Sequence, residues 1–289
     1  MPVSVIIPTY NRSAMVVEAL RSAVAQSAPA HEVIVVDDGS NDDTLAVLQR
    51  ESAKDVHLIR RANRGVAAAR NLGVARSSGD LIAFLDSDDL WLPDKLATQT
   101  AFFATHPEAM ICQTEEVWIR NGVRVNPRTY HHKPSGDVFD ASLERCLVSP
   151  SAVMMRRALF EEIGGFDESL PACEDYDLWL RIARSTLIWR LDAALVIKRG
   201  GHADQLSRRH WGMDRFRVAT LVRLLCEGGL SETQSNAVGR VLRDKCRILA
   251  NGASKRGRDE EAERYSSLAR WTGQQLVRAA EGASVTVAA

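Results

Sequence analysis

The sequence predicts an α/β fold: a mostly parallel central sheet flanked by helices, followed by a C-terminal helical extension. Three observations predict it. Short apolar, β-branched runs alternate with segments of helical periodicity through Leu85, the pattern of a parallel sheet covered by helices. From Trp211 onward every element reads as helix. The charge divides at nearly the same place: residues 1–205 carry 22 basic and 28 acidic side chains, and residues 206–289 carry 15 and 9. The net charge of zero over 289 residues therefore conceals −6 and +6. Overall neutrality argues against a strongly basic nucleic-acid binder, and no nucleic-acid partner is expected.

In order along the chain, Val3–Ile7 and Glu32–Asp37 read as strands closed by turn residues, with helical spacing over Ala14–Gln26 between them. A helix at Thr44–Arg50, a strand at His57–Arg60, a helix at Val66–Ala75 and a fully apolar strand at Leu81–Leu85 continue the alternation. Beyond Asp89 the spacing predicts a helix near Pro93–Thr105, then strands at Met110–Gln113 and Val117–Arg120, the second followed by the hairpin-type turn Asn121-Gly122. Val125 to Asp137 reads as a surface loop. Ala152–Met155 is predicted as strand, Ala158–Ile163 as helix, Gly164-Gly165 as turn, Asp175–Ala183 as helix and Ala194–Lys198 as the last strand. Ser231-x-x-Gln234 is a capping box opening a helix with Val238, Val241, Leu242, Ile248 and Leu249 on one face. Asn251–Arg258 is expected to link it to a final helix, with a disordered tail from Gly282.

Five cysteines stand 20 or more residues apart, without a Cys-x-x-Cys pair. They suggest buried thiols in a reducing compartment, not disulfides or a zinc site. The N-terminal apolar run lacks a basic start and is broken by Pro8, so it does not read as a signal peptide. No stretch approaches the roughly 18 apolar residues of a membrane span. A cytoplasmic location is expected, with peripheral contact to the inner face of the membrane left open.

In an open parallel sheet, ligands bind beyond the carboxyl ends of the strands. Two of those ends are acidic here: Asp37-Asp38-Gly39-Ser40 after the second strand, and Asp86-Ser87-Asp88-Asp89 after the fourth. Asp, Gly and Ser are also common loop formers, but five neighbouring acids repel one another unless a cation or donor group lies between them. All-oxygen ligands suit Mg2+ or Mn2+ better than zinc. A hard cation held by few carboxylates usually shares its shell with substrate phosphates. The Gly-x-x-x-x-Gly-Lys-Ser/Thr and Gly-x-Gly-x-x-Gly cradles are absent after the first strand, which removes the main support for an ATPase or dinucleotide dehydrogenase. The first strand leads instead into Pro8-Thr9-Tyr10-Asn11-Arg12, where a ring and amides can face a base.

Taken together these pieces resemble the family 2 glycosyltransferases, inverting enzymes of the GT-A fold that use nucleotide-sugar donors. The resemblance rests on Ile7-Pro8-Thr9-Tyr10-Asn11-Arg12, on Val35-Val36-Asp37-Asp38-Gly39-Ser40 with Asp43-Thr44, and on Asn63-Arg64-Gly65 with Ala69-Arg70-Asn71 and Gly73. Gly79-Asp80 leading to Phe84-Leu85-Asp86-Ser87-Asp88-Asp89, and Gly164-Gly165-Phe166-Asp167 followed by Glu174-Asp175-Tyr176-Asp177-Leu178-Trp179, complete it. Five pieces in family order over residues 3–205 make a specific match, where a lone Asp-x-Asp would be weak.

The resemblance implies a division into a GT-A domain at 1–205 and a helical extension at 206–289. It implies that Pro8, Thr9, Tyr10 and Asn11 line the nucleotide pocket and that Asp38 or Asp37 bonds the base. A carboxylate accepts a uracil N–H, and Tyr10 offers a stacking face. Arg70 would approach the base or the diphosphate. Asp86 and Ser87 fall in the Asp-x-Asp segment, with Asp86 toward the ribose and Asp88 the first choice of metal ligand. His202, just past the last strand, would join the metal or diphosphate. Glu174-Asp175 matches the family's Glu-Asp pair, in which the Asp, here Asp175, is the catalytic base that deprotonates the acceptor. Acids at a helix start are also favoured by the helix dipole alone.

The implied function is metal-dependent inverting transfer of a sugar from a nucleotide donor, UDP-linked by expectation, to a hydroxyl or other nucleophile in polysaccharide or glycoconjugate assembly. The acceptor, whether saccharide, lipid-linked saccharide or peptide, and the oligomeric state are not specified. Two alternatives stand beside it: a non-catalytic sugar-nucleotide-binding or scaffold module, and a sugar nucleotidyltransferase. Phe216, Leu221, Val222, Leu224 and Leu225 with Arg215, Arg217 and Arg223 form either an amphipathic surface for anionic lipid or a stripe packed on the protein's own core.

Overall fold

The computed structural model describes residues 1–51, 55–126, 133–201 and 212–286, with side chains described to residue 273. Among these residues the strands form one nine-stranded sheet. The strands β1 (Val3–Thr9), β2 (Glu32–Asp37), β3 (Val56–Arg60) and β4 (Leu81–Phe84) run parallel in the order β3-β2-β1-β4. They alternate with helices α1 (Ser13–Val24), α2 (Thr44–Arg50) and α3 (Val66–Ala75). β1, β2 and β4 are buried along their whole length, which explains their unbroken apolar runs. Strand alternation still sorts the side chains. Val5, Ile7, Val33 and Val35 point into one core with Val16, Leu20, Leu96 and Phe103. Ile6, Ile34, Val36, Ile82 and Phe84 point into the other with α3 and the later helices. α3 lies so close on β1 that a Cβ at Gly73 would meet Ile6 Cγ2 at 2.4 Å.

After β5 (Leu90–Trp91) and α4 (Lys95–Thr105) the sheet becomes mixed. β6 (Ile111–Arg120) runs antiparallel to β8 (Val153–Arg156) and forms a hairpin with β7 (Val123–Val125) across Asn121-Gly122. β8 joins β4 antiparallel, and β9 (Trp189–Gly200) lies parallel to β6 and antiparallel to β5. Two strands expected at Met110–Gln113 and Val117–Arg120 are thus one. Its polar middle, Thr114-Glu115-Glu116, hides the continuity and carries the register irregularities opposite β9. There Glu116 is buried against Lys133, with Oε1 3.0 Å from Nζ. β9 also begins earlier than the expected Ala194. Part of the loop expected at 125–137, residues 127–132, lies outside the described residues.

α5 (Phe139–Ser142), α6 (Arg157–Ile163) and α7 (Glu174–Ala183) precede β9, and α8 (Asp214–Glu227), α9 (Glu232–Ser254) and α10 (Asp259–Thr286) follow it. The capping box is formed: Gln234 N donates to Ser231 Oγ at 3.1 Å, and Ser231 N to Gln234 Oε1 at 3.0 Å. Val238, Val241, Leu242 and Leu249 are buried as expected, but Ile248 is 64% exposed. The linker expected at Asn251–Arg258 is shorter, because α9 continues to Ser254, and α10 extends to Thr286 through the expected tail. Val218, Leu221 and Leu224 of α8 enter the same core as Phe84 and Trp179. Arg217 pairs with Asp214 at 3.0 Å, and Arg223 with Asp167 and Asp177. The α8 stripe therefore packs on the protein's own core, with Phe216, Val222 and Leu225 partly buried against it. Among the described residues no helix is long and apolar enough to cross a membrane.

Candidate active site

In the strand order β3-β2-β1-β4 the connections leave β1 in opposite directions, and such a switch point opens a crevice at the carboxyl ends of the strands. A cavity of about 340 Å³ lies there. Pro8, Thr9, Tyr10, Asp38, Arg70, Asp86, Ser87, Asp88, Glu174 and Asp175 all line it, although they come from the ends of three strands, the middle of α3 and the start of α7. Asn11 and Asp37 are not in its wall, and His202 lies outside the described residues.

The first two loops are stitched together by Asn11, whose N–H donates to Ser40 Oγ at 2.8 Å and whose Oδ1 accepts from Asn41 N at 2.9 Å. These bonds shape the loop. Asp37 is fully buried, and its Oδ1 accepts from Ser40 N at 3.0 Å. Gly39 between them has φ of 82°, and a Cβ there would stand 2.8 Å from Asn63 N. Asp38 faces the cavity but works as a bracket for the turn before α3. Its carboxylate accepts from Gly65 N at 2.7 Å and Arg64 N at 3.1 Å, with Arg61 Nε 3.2 Å away. Burial pushes the Asp38 carboxyl up, against these backbone donors.

At the end of β4 a turn closed by Asp89 N donating to Asp86 O at 3.0 Å brings three carboxylates together. Oxygens of Asp86, Asp88 and Asp89 lie within 4.8 Å of one another. Each acid has a protein cation beside it: Arg70 at 2.6 Å from Asp86, Arg12 at 2.6 Å from Asp88, and Lys198 at 3.8 Å from Asp89. Burial opposes the charge on Asp86, but Arg70 and Lys198 hold its carboxyl below the ordinary range. Asp89 is the inner member, 3% exposed, accepting from Ser151 Oγ at 2.6 Å and Arg199 N at 2.9 Å. Burial, helped by Asp88 and Asp86, pushes it up to about 7.

The donor set fits a hard divalent cation. Its ligand atoms are all carboxylate oxygens at the wall of a water-accessible cavity. The side chains of Asp86 and Asp88 are 24% and 19% exposed, while Asp89 is committed to the protein.

Glu174 and Asp175 open α7 opposite the acidic turn. Burial raises the Glu174 carboxyl, and Arg70 opposes it from 2.7 Å. Asp175 is half-buried; its Oδ1 accepts from Tyr176 N at 2.7 Å, while Oδ2 has the Cys146 thiol at 3.5 Å. Arg70 ties the two acidic ends together. It is itself 3% exposed, with one guanidinium nitrogen on Glu174, the other on Asp86, and its centre 5.0 Å over the Phe166 ring. Asn71, one residue on, holds Phe166 from both sides: Nδ2 donates to Phe166 O at 2.9 Å, and Oδ1 accepts from Phe166 N at 3.0 Å. Two sequence pieces about 95 residues apart thus meet as one contact. The Arg12, Asp89, Lys198, Arg199, Cys173 and Met213 contributions to the wall were not singled out by sequence. Arg12 and Asp89 sit inside quoted motifs and were within reach, whereas nothing local marks Lys198.

A family model described as glycosyl transferase family 2 matches residues 4–164. An uncharacterized glycosyltransferase of Rickettsia conorii is 34% identical over 196 residues, 67% of this chain and 32% of that protein. The chain spans about a third of the length of the first curated relatives it matches. Among solved structures, S. aureus TarS 1-349 in complex with UDP-GlcNAc is similar with a TM-score of 0.76 at 24% identity, over 96% of this chain and 82% of that one. A mannosyltransferase from Pyrobaculum calidifontis in complex with GDP-Man and Mn2+ gives 0.59 at 21% identity, over 96% and 85%. At these identities the two structures speak for the fold.

Proposed function

The chain belongs to glycosyl transferase family 2 and has the GT-A fold, and from that premise we propose that it is an inverting, metal-dependent transferase of sugar from a nucleotide donor, UDP-linked, to an acceptor nucleophile in glycoconjugate or polysaccharide assembly. One observation carries the reading: a single cavity brings the part-exposed carboxylates Asp86 and Asp88 and the half-buried Asp175 together, braced by Arg70. The division at residue 205 belongs to the same proposal, with α8–α10 as a buttress that shares the core. So does a cytoplasmic location.

In this reading Tyr10 and Asp38 flank the base, and the donor's diphosphate lies against the Asp86–Asp88 turn. Asp86 and Asp88 would hold Mn2+ or Mg2+, which when bound neutralises charge on the departing diphosphate. The acceptor oxygen attacks the anomeric carbon as the bond to the diphosphate breaks, so the nucleoside diphosphate leaves and the anomeric centre inverts. Asp175 takes the acceptor's proton. Its Oδ2 is the better-suited atom, because Oδ1 already accepts from Tyr176 N at 2.7 Å and the thiol contact to Oδ2 is 3.5 Å. Arg70 keeps the base-bearing helix and the Asp86 loop in fixed relation, and Glu174 reaches the chemistry through it.

Product identity tests the proposal. With nucleotide sugars and Mn2+ the protein is expected to release nucleoside diphosphate. Release of pyrophosphate from a nucleoside triphosphate and sugar phosphate would establish a nucleotidyltransferase instead. Failure to turn over any donor, even by slow hydrolysis, would establish a binding or scaffold module.

A further inference from the structure

Lys198 and Arg199 reach the acidic turn from β9, far from the motifs that build the rest of the site; Arg199 Nε donates to the backbone O of Asp88, whereas Lys198 faces the carboxylates. The Lys198 ammonium donates to Ser149 Oγ at 3.0 Å and stands 3.8 Å from Asp89 Oδ2. The side chain is 35% exposed and lines the cavity, so it borders both the carboxylates and the space a ligand would fill. Burial works against its charge, but Asp89, Glu116, Asp86 and Asp88 together keep it protonated. Glu116 is itself matched by Lys133, at 3.0 Å. The net demand on Lys198 therefore comes from the Asp86–Asp89 turn. A divalent cation entering that turn meets this positive charge already in place.

We propose that Lys198 is a resident counter-cation for the Asp86–Asp88–Asp89 turn, a positioning residue that keeps the turn assembled and weakens metal binding until a diphosphate supplies further negative charge. The inference rests on the reading that Asp86 and Asp88 hold the metal. Its consequence is that metal and nucleotide load together: the anion offsets the repulsion between Lys198 and the metal, so each ligand tightens the other by the same factor. Arg12 and Arg70 stand 2.6 Å from Asp88 and Asp86, with Arg70 shared with Glu174, whereas Lys198 sits beyond hydrogen-bond distance from Asp89, and its charge is felt by all three acids of the turn.

The test is Mn2+ binding followed by electron paramagnetic resonance of the free ion, with and without UDP, in the wild type, Lys198→Gln and Lys198→Arg. Gln can still donate to Ser149 without the charge; Arg keeps the charge. The wild type is expected to bind Mn2+ at least about 10-fold more tightly with UDP than without. Lys198→Gln is expected to bind Mn2+ alone about 10-fold more tightly than the wild type and to gain less from UDP than the wild type does. Lys198→Arg should behave as the wild type. An unchanged or weaker Mn2+ affinity in Lys198→Gln overturns the inference while leaving the metal site intact. Absence of Mn2+ binding by the wild type, with or without UDP, overturns both the inference and the metal-site reading. If Lys198→Gln is unfolded in EDTA, circular dichroism gives the answer: recovery of the fold by Mn2+ but not by matched NaCl supports the counter-cation role, and failure to recover refutes it.

Discussion

Replacing Arg70 by Met removes a side chain that joins the acidic turn to α7. Arg70 is 3% exposed and spans Glu174 Oε1 at 2.7 Å and Asp86 Oδ1 at 2.6 Å. Breaking a buried ion pair by deleting one partner costs about 3–5 kcal/mol, because the other charge is left desolvated. Glu174, with a 6% exposed side chain, bears that cost nearly in full, while Asp86 at 24% recovers part of it from water. The expected destabilisation is roughly 4 kcal/mol. For a chain of this size that corresponds to a fall in Tm of about 10 °C. Calorimetric melting measures it, and the double variant Arg70→Met, Glu174→Gln isolates the pair. Removing the stranded carboxylate should return about 1–3 kcal/mol, a coupling within the range for contacting residues. A single variant melting within about 2 °C of the wild type, or a double variant that is strictly additive, would refute the bracing role of Arg70.

Three further outcomes are expected. Asp175→Asn should lower kcat by about 10²-fold or more with donor affinity and Tm retained, as loss of a general base does; undiminished transfer by a folded variant removes Asp175 from that role. Gly73→Ala should destabilise by about 1–3 kcal/mol, because the added methyl would sit 2.4 Å from Ile6 Cγ2; melting at the wild-type temperature would contradict this close packing of α3 on β1. Lys95 is fully buried, donating to Gln99 Oε1 at 2.5 Å, and burial depresses its ammonium from 10.5 to about 7. Between those values the unfolded chain binds the proton and the folded chain does not. Its contribution to stability therefore rises with pH across that window, by up to about 1.4 kcal/mol per pH unit, and is flat below the folded value. Lys95→Met should be more stable than the wild type near pH 7 and lose that slope in urea unfolding at pH 7–10; equal slopes in the two proteins would exclude a neutral buried Lys95.

The parallel half of the fold was readable because both faces of β1, β2 and β4 are covered, which leaves uniform apolar runs between helical periodicities. The candidate site was readable because its acids cluster at strand and helix ends within short motifs. What lay hidden depends on pairing across distance. β6 looked like two strands because Glu116 in its middle is neutralised by Lys133, a partner that only the fold supplies. Asp37 and Asp38 are neighbours of one type, yet alternation turns Asp37 into the protein and Asp38 to the cavity, so local chemistry did not separate them. Lys198 lies in an ordinary strand and becomes part of the site only because β9 crosses the end of β4's loop, where Arg199 N meets Asp89 Oδ1. In α9 the helical period placed Ile248 with the buried stripe, and the contacts with α10 leave it 64% exposed.

In the proposed complex a nucleoside diphosphate is held with a divalent cation on Asp86 and Asp88. Titration calorimetry of UDP into the wild type and Asp88→Asn, in EDTA and in Mn2+, tests it most directly. Mn2+ is expected to tighten UDP binding by the wild type at least about 10-fold, a coupling of about 1.4 kcal/mol, and to leave Asp88→Asn nearly unaffected. Equal UDP affinity with and without Mn2+, or an undiminished Mn2+ effect in Asp88→Asn, would contradict it.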